Sequence, residues 1–204
     1  QAAHLDGKGA SMMEMAGLAQ KGGAVHIHCR LADHPENINA IRVAAGEADA
    51  LIGGDLVVSA GAKTIGLTAT GRTGAVVNSH EIITGDFTRD TEFSLPTERL
   101  TLALEARLRD RVDLFDASEL AKAIIGDSIF SNMILLGAAW QQGLIPLNLT
   151  SIRGAIDLNG ALVDMNLRAF EIGRWAVLFP KDAAKLLQPS VVSFPKSLQD
   201  KITF

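Results

Sequence analysis

Chemistry is most readily read into the run Gly17-Leu18-Ala19-Gln20-Lys21-Gly22-Gly23. Adjacent glycines let a backbone approach a ligand closely, and successive amides can turn their N–H groups onto an anion. Lys21 adds a compact positive charge suited to phosphate. The plainer alternative is a tight turn into the next strand, and local sequence leaves both open. His26 and His28 stand two apart, so on a strand both rings project to one side. With His34 they have the side chains for zinc, but no carboxylate or thiol at ligand spacing completes the set. The expectation is therefore a polar sheet face or a subunit contact and no metal; either ring could still meet an anionic ligand from a cleft. Cys29 projects to the opposite, apolar side, where a thiol is ordinarily inert core. Met12, Met13 and Met15 are expected to pack in the core as well. Asn78 and His80 close a strand, at the end where parallel sheets place ligands.

The chain that must position these residues has 204 of them, enough for one domain or one domain with an appendage. Apolar residues make up 48% and charged residues 21%, which excludes disorder, collagen and coiled coil as descriptions of the whole. The formal net charge is −4 and no basic stripe appears, which argues against nucleic acid as a partner. A single cysteine excludes an internal disulfide and an iron–sulfur cluster held by this chain alone. No tyrosine is present, so no phenol takes part in chemistry. No apolar run nears the roughly 18 residues of a membrane helix, and no basic, apolar leader opens the chain. The cytoplasm is the default location. GxGxxG, P-loop, GxSxG, HExxH and thiamine-binding motifs are all missing from the sequence.

Along the chain, residues 1–6 read as the end of a helix stopped by Gly7 and Gly9, and 10–15 as an apolar strand. Residues 24–31 alternate, with Val25, Ile27, Cys29 and Leu31 on one side and His26, His28 and Arg30 on the other, the period of a half-buried strand. A short strand is predicted over 56–59, after Gly53-Gly54-Asp55, and a helix over 60–67. The turn at 71–74 leads into a buried strand over 75–79, and 80–96 reads as irregular. Thr97 is placed as the cap of a helix reaching 110, Val112–Phe115 is a strand, and Ser118 starts a helix that ends at Gly126. In 128–142, Ile129, Met133, Leu136 and Trp140 recur at helical spacing beside Phe130, Ile134 and Ala138, which predicts deep burial. Further helices are predicted over 150–158 and 161–175. Residues 177–204 hold Pro180, Pro189 and Pro195 among Leu, Val and Phe, and are read as an extended tail on a partner or neighbouring domain. Strands alternating with helices predict an α/β fold with a mostly parallel sheet.

Five segments in order carry a family resemblance. They are 17–25 (GLAQKGGAV), 46–59 (GEADALIGGDLVVS), 75–86 (AVVNSHEIITGD), 113–140 with its Gly126-Asp127-Ser128 and Asn132–Gly137 stretches, and 155–174 with Asn166, Ala169-Phe170 and Gly173. Together they resemble the gamma subunit or domain of 2-oxoacid:ferredoxin oxidoreductases. Among these the resemblance is to the indolepyruvate enzymes, in the branch where this domain is fused into a long polypeptide. The resemblance covers residues 1–176. It implies a Rossmann-like three-layer sandwich. The family domain begins with a strand and a Gly-rich turn that this chain lacks, so Gln1 is expected to stand inside the first helix, with an upstream segment not included. Many relatives also carry arginine where this chain has Lys21, a change that keeps charge and loses bidentate geometry.

By that resemblance the chain is part of an enzyme that decarboxylates a 2-oxoacid oxidatively, with indolepyruvate or another aryl pyruvate as substrate. Acyl-coenzyme A and CO2 are the products, and electrons pass to ferredoxin. Thiamine diphosphate, Mg2+ and 4Fe-4S clusters belong to other domains or subunits, which are the implied partners in an oligomeric assembly. The chain alone is expected to be inactive. The resemblance further implies that Gln20, Lys21, Gly22 and Gly23 contact coenzyme A, with Asn78 and Asn132 as weaker candidates that could equally be structural; no residue is assigned to bond chemistry. The competing reading is an assembly domain with no ligand of its own. A degenerate dinucleotide-binding domain fits poorly, since Asp33 is badly placed for a ribose.

Overall fold

The structure, a computed structural model, describes residues 1–16, 24–80 and 97–188. A short helix α1 (Ala2–Leu5) leads into an antiparallel hairpin of β1 (Gly9–Ala16) and β2 (Val25–Ala32), paired from Gly9↔Ala32 to Ala16↔Val25. The body follows as β3 (Ala50–Gly53), α2 (Leu56–Ala60), α3 (Ala62–Leu67) and β4 (Gly74–Asn78). Then come α4 (Thr97–Leu108), β5 (Val112–Phe115), α5 (Ala117–Ile124), α6 (Ser131–Gln141), α7 (Leu149–Asn159), α8 (Val163–Leu178) and α9 (Pro180–Leu187).

The body is the expected α/β sandwich of three layers. Its sheet is parallel in the order β3–β4–β5, and every residue of the central strand is buried. Ala75 and Val77 face one layer, where Leu56, Ala60, Leu104 and Leu108 of α2 and α4 cover them. Val76 faces the other, against Ala117, Leu120, Ile134 and Ala138 of α5 and α6 and Ala169 of α8. A strand covered on both faces needs an unbroken apolar run, which is what Ala75-Val76-Val77 supplies. On that second layer α6 and α8 meet backbone to backbone. A Cβ on Gly137 would stand 1.9 Å from the Phe170 carbonyl oxygen, and one on Gly173 1.8 Å from that of Ile134. Only glycine fits at either position.

Several sequence expectations are overturned. Residues 56–59 are the helix α2, and the strand lies just before them in Ala50–Gly53. Asp55 decides this: its carboxylate accepts the Val58 amide at 2.7 Å and caps a helix that β-branched Val57 and Val58 would otherwise disfavour. The extended tail does not begin at 177, because α8 runs to Leu178 and α9 occupies Pro180–Leu187. Pro180 sits in the first turn of α9, where its missing N–H costs nothing, so it opens a helix; residues 189–204 lie outside the described residues. Ile129 is exposed, because Ser128–Phe130 forms a separate 3-10 turn ahead of α6.

The hairpin is inverted relative to expectation. Val25, Ile27 and Cys29 are exposed, while His28 is buried. Met12, paired with Cys29 on that outer face, is 71% exposed, so neither it nor Cys29 is core. Alternation alone shows that a strand has two faces; which one turns inward is decided by what the inner face can bond to.

Candidate functional site

The carboxyl ends of β3, β4 and β5 converge on Asn78, the last residue of the central strand. Asn78 is 2% exposed and its amide is fully engaged. Its nitrogen donates to the Gly54 carbonyl at 3.1 Å and to Ser118 Oγ at 3.0 Å. Its oxygen accepts the amides of His80 at 3.2 Å and Ala117 at 3.0 Å. One side chain thus ties the β3–α2 turn, the exit from β4 and the start of α5 into a single edge. Residues 81–96, which follow, lie outside the described residues.

On this platform stands a histidine–aspartate pair. His80 Nδ1 lies 3.0 Å from one oxygen of Asp116, and the other oxygen accepts the Glu119 amide at 2.7 Å and so caps α5. An ionised carboxylate only accepts, so Nδ1 carries a proton in this contact. The two side chains are 30% and 25% exposed, and Nε2 makes no hydrogen bond among the described residues. Asp55 and Asp116 each cap a helix at this edge, so both helix N-termini are already supplied with negative charge. The edge therefore does not invite a phosphate.

Positive charge gathers instead around the hairpin. The β1–β2 pairing runs up to Ala16↔Val25 and so fixes both ends of the 17–24 connection. Gln20, Lys21, Gly22 and Gly23 themselves lie outside the described residues. Next to the last pair, His26 Nε2 lies 3.1 Å from Thr64 Oγ, whose hydroxyl donates to the Val58 carbonyl at 2.6 Å. The threonine proton is committed, so His26 donates. Burial holds its pKa below the ordinary value, the Lys63 charge adds to this, and Asp55 opposes it. His28, 3% exposed, accepts the Val43 amide on Nδ1 at 2.9 Å, which places its proton on Nε2. That Nε2 and the Arg30 Nε are buried without a partner. Burial again depresses the His28 pKa, helped by Arg42, His26, Lys63 and Arg30. Arg30 also donates to the Arg42 carbonyl and to Glu47, each at 2.8 Å.

The structure thus links the loop's base to the sheet edge: His26 bonds Thr64 and feels Asp55, and Asp55 adjoins Gly54, which Asn78 holds. Asn132 lies apart from this node, exposed in the first turn of α6. Each histidine of the hairpin is occupied by protein, and among the described residues no three of His, Cys, Asp and Glu stand together as metal ligands. Asp116 and Ser118 escaped the sequence reading as members of the edge, although Asp116 with Glu119 three residues on has the spacing of a helix cap. No helix among the described residues is long and apolar enough to cross a membrane.

Residues 1–176 match the family model described as pyruvate ferredoxin/flavodoxin oxidoreductase. The indolepyruvate oxidoreductase subunit IorB of Archaeoglobus fulgidus is 26% identical over 162 residues, 78% of this chain and 76% of that protein. The gamma subunit of a keto/oxoacid ferredoxin oxidoreductase from Geobacter sulfurreducens superposes with a TM-score of 0.56 at 19% identity, covering 87% of this chain and 85% of that one. At that identity the superposition speaks for the fold.

Proposed function

Because the chain belongs to the pyruvate ferredoxin/flavodoxin oxidoreductase family, we propose that it is the gamma-type part of a coenzyme A-dependent 2-oxoacid:ferredoxin oxidoreductase. The name of the Archaeoglobus relative supports indolepyruvate, or a similar aryl pyruvate, as the oxoacid. In this reading the products are acyl-coenzyme A and CO2, and ferredoxin takes the electrons. Thiamine diphosphate with its Mg2+, and the 4Fe-4S clusters, sit in partner domains or subunits of a cytoplasmic, oligomeric enzyme. Cys29 alone does not fit a cluster, which typically takes four thiolates.

Gln20, Lys21, Gly22 and Gly23 contact the anionic end of coenzyme A: Lys21 neutralises phosphate charge and the glycine amides donate to it. Asn78 serves this site by holding the sheet edge, since its own amide is already saturated. The observation that carries the reading is the tether from the base of this lysine–glycine loop, through His26 and Thr64, toward the carboxyl edge. In the assembled enzyme, Lys21→Glu should raise the KM for coenzyme A by about tenfold, the loss of one charge-assisted contact. An unchanged KM removes the assignment. The isolated chain should show no oxidoreductase activity.

One observation favours the assembly reading. The outer face of the hairpin presents Met12, Val25 and Ile27 at 71%, 51% and 57% exposure, more apolar surface than a two-stranded hairpin needs for itself. Hydrogen exchange on the intact complex separates the two readings, because only a ligand site gains protection at residues 17–24 when coenzyme A is added.

A further inference from the structure

We propose that the junction between the hairpin and residues 41–47 binds a phosphate group, with His28 Nε2–H and Arg30 Nε–H as its donors. None of these residues belongs to the site proposed for coenzyme A, and the inference stands without it.

The donors come first. A backbone amide can only donate, so the Val43 amide at 2.9 Å fixes His28 Nδ1 as an acceptor and the ring proton on Nε2. His28 is 3% exposed, and its Nε2 meets no acceptor. Arg30 stands two residues further on, so its side chain leaves the same face of β2. Its Nη2 donates to the Arg42 carbonyl and to Glu47, but its Nε–H is buried without a partner as well. Two buried donors on one face, both short of an acceptor, cost the fold stability. A ligand that brings oxygen acceptors removes that cost.

Charge selects the ligand. Burial, with Arg42, His26, Lys63 and Arg30, holds the His28 ring neutral. Neither Arg42 nor Lys63 forms an ion pair among the described residues. Glu47, the carboxylate that faces them, is taken up by Arg30 and the Ala44 amide. Asp55 lies beyond His26 and caps α2. A neutral acceptor such as water satisfies the donors and leaves the positive charge uncompensated. A carboxylate offsets one cation. A phosphate dianion answers both needs, and its several oxygens suit two donors that leave one strand face.

The way in is also built. Residues 41–47 form neither helix nor strand, and Arg42, Ala44 and Ala45 are exposed. The cover over the two donors is thus irregular chain fastened through His28 and Arg30 themselves, a kind of segment that opens locally at small cost. The Arg30 side chain is 32% exposed and leads from solvent to the buried donors.

The test is hydrogen exchange on the assembled enzyme at neutral pH. Inorganic phosphate is added in one arm, coenzyme A in a second, and chloride at equal ionic strength as the control. At ten times its Kd, phosphate should slow exchange in residues 25–32 and 41–47 by about tenfold relative to chloride. Protection by either ligand supports the site, and the tighter of the two tells a free ion from a phosphate carried by a larger molecule. Protection by neither overturns it. Arg42→Gln and Lys63→Gln alter exposed side chains and leave both donors in place, so the fold is retained. Together they should weaken phosphate by about tenfold. Arg30→Lys keeps the charge, loses the Nε donor and should weaken phosphate by about the same factor. Phosphate affinity unchanged in both the double variant and Arg30→Lys means an adventitious ion only, and the assignment falls.

Discussion

The hairpin and the sheet edge solve the same problem in opposite ways. At the edge, polar groups are buried and every one of them on Asn78 is paired. Under the hairpin, polar groups are also buried, but His28 Nε2 and Arg30 Nε are left without partners, while apolar Met12, Val25 and Ile27 face out. A two-stranded sheet is marginal by itself, and this one is fastened by bonds from His26 to Thr64, from Val43 to His28 and from Arg30 to Arg42 and Glu47. The body has two apolar layers and a central strand with no exposed residue. The difference teaches that the edge is built to keep its geometry, whereas the hairpin is held in part by histidines that must stay neutral.

The sharpest way to break this contrast is to attack the body where it has no slack. Gly173→Ala drives a methyl into the Ile134 carbonyl and should destabilise the fold by about 3 kcal/mol or more, read by chemical denaturation. A loss below 1 kcal/mol would mean that α6 and α8 can part easily, and the rigidity assigned to the body would be wrong.

Next in size is Asn78→Asp. The carboxylate keeps both acceptor bonds but cannot donate to Gly54 or Ser118, and it is a buried charge beside a carbonyl. A loss of about 2–4 kcal/mol is expected at neutral pH, with hydrogen exchange rising first at residues 53–56 and 116–120. Uniform exchange across the chain would show that Asn78 is not a node of the edge.

The smallest effect belongs to the hairpin and appears with pH. His28 is held neutral in the fold and takes a proton more readily when unfolded, at the ordinary value of 6.5. Its contribution is therefore intact above that pH and is lost as pH falls below it, because the unfolded state then binds more protons. Protonation also puts a donor where the Val43 amide needs an acceptor, next to Arg30, Arg42, Lys63 and His26, with Glu47 already engaged by Arg30. Amide exchange in β2 should accelerate as pH drops from 7 to 5.5, beyond the intrinsic trend, while β4 stays protected. His28→Gln, which can still accept from Val43, should flatten that response. Equal acceleration in β4 would erase the distinction between the regions.

How far the sequence could be read differs between the two regions as well. That residues 24–31 form a half-buried strand follows from alternation, yet its pairing with 9–16 and its inward face do not. Period two says that Cys29 and His28 point apart and is silent on which meets Thr64 and Val43. Those partners are 38 and 15 residues away in sequence from His26 and His28. The buried strand at Ala75–Val77 was visible because full burial demands an unbroken apolar run. The helix at Leu56–Ala60 was missed because local propensity favoured a strand and one capping carboxylate outweighed it. The site divides in the same manner. The lysine–glycine loop is a local pattern and stands out on its own, and Asn78 was placed at a strand end. Its neighbours Gly54, Asp116 and Ser118 come from other segments.

From its own order of residues this chain determined a parallel α/β body and its family, since each is written in short-range pattern. Only the tertiary structure decided that the histidine face turns inward and that Asn78 is a saturated clamp. The same holds for the pairing of His80 with Asp116, because each depends on hydrogen bonds between residues that only the folded chain brings within 3 Å or so of one another.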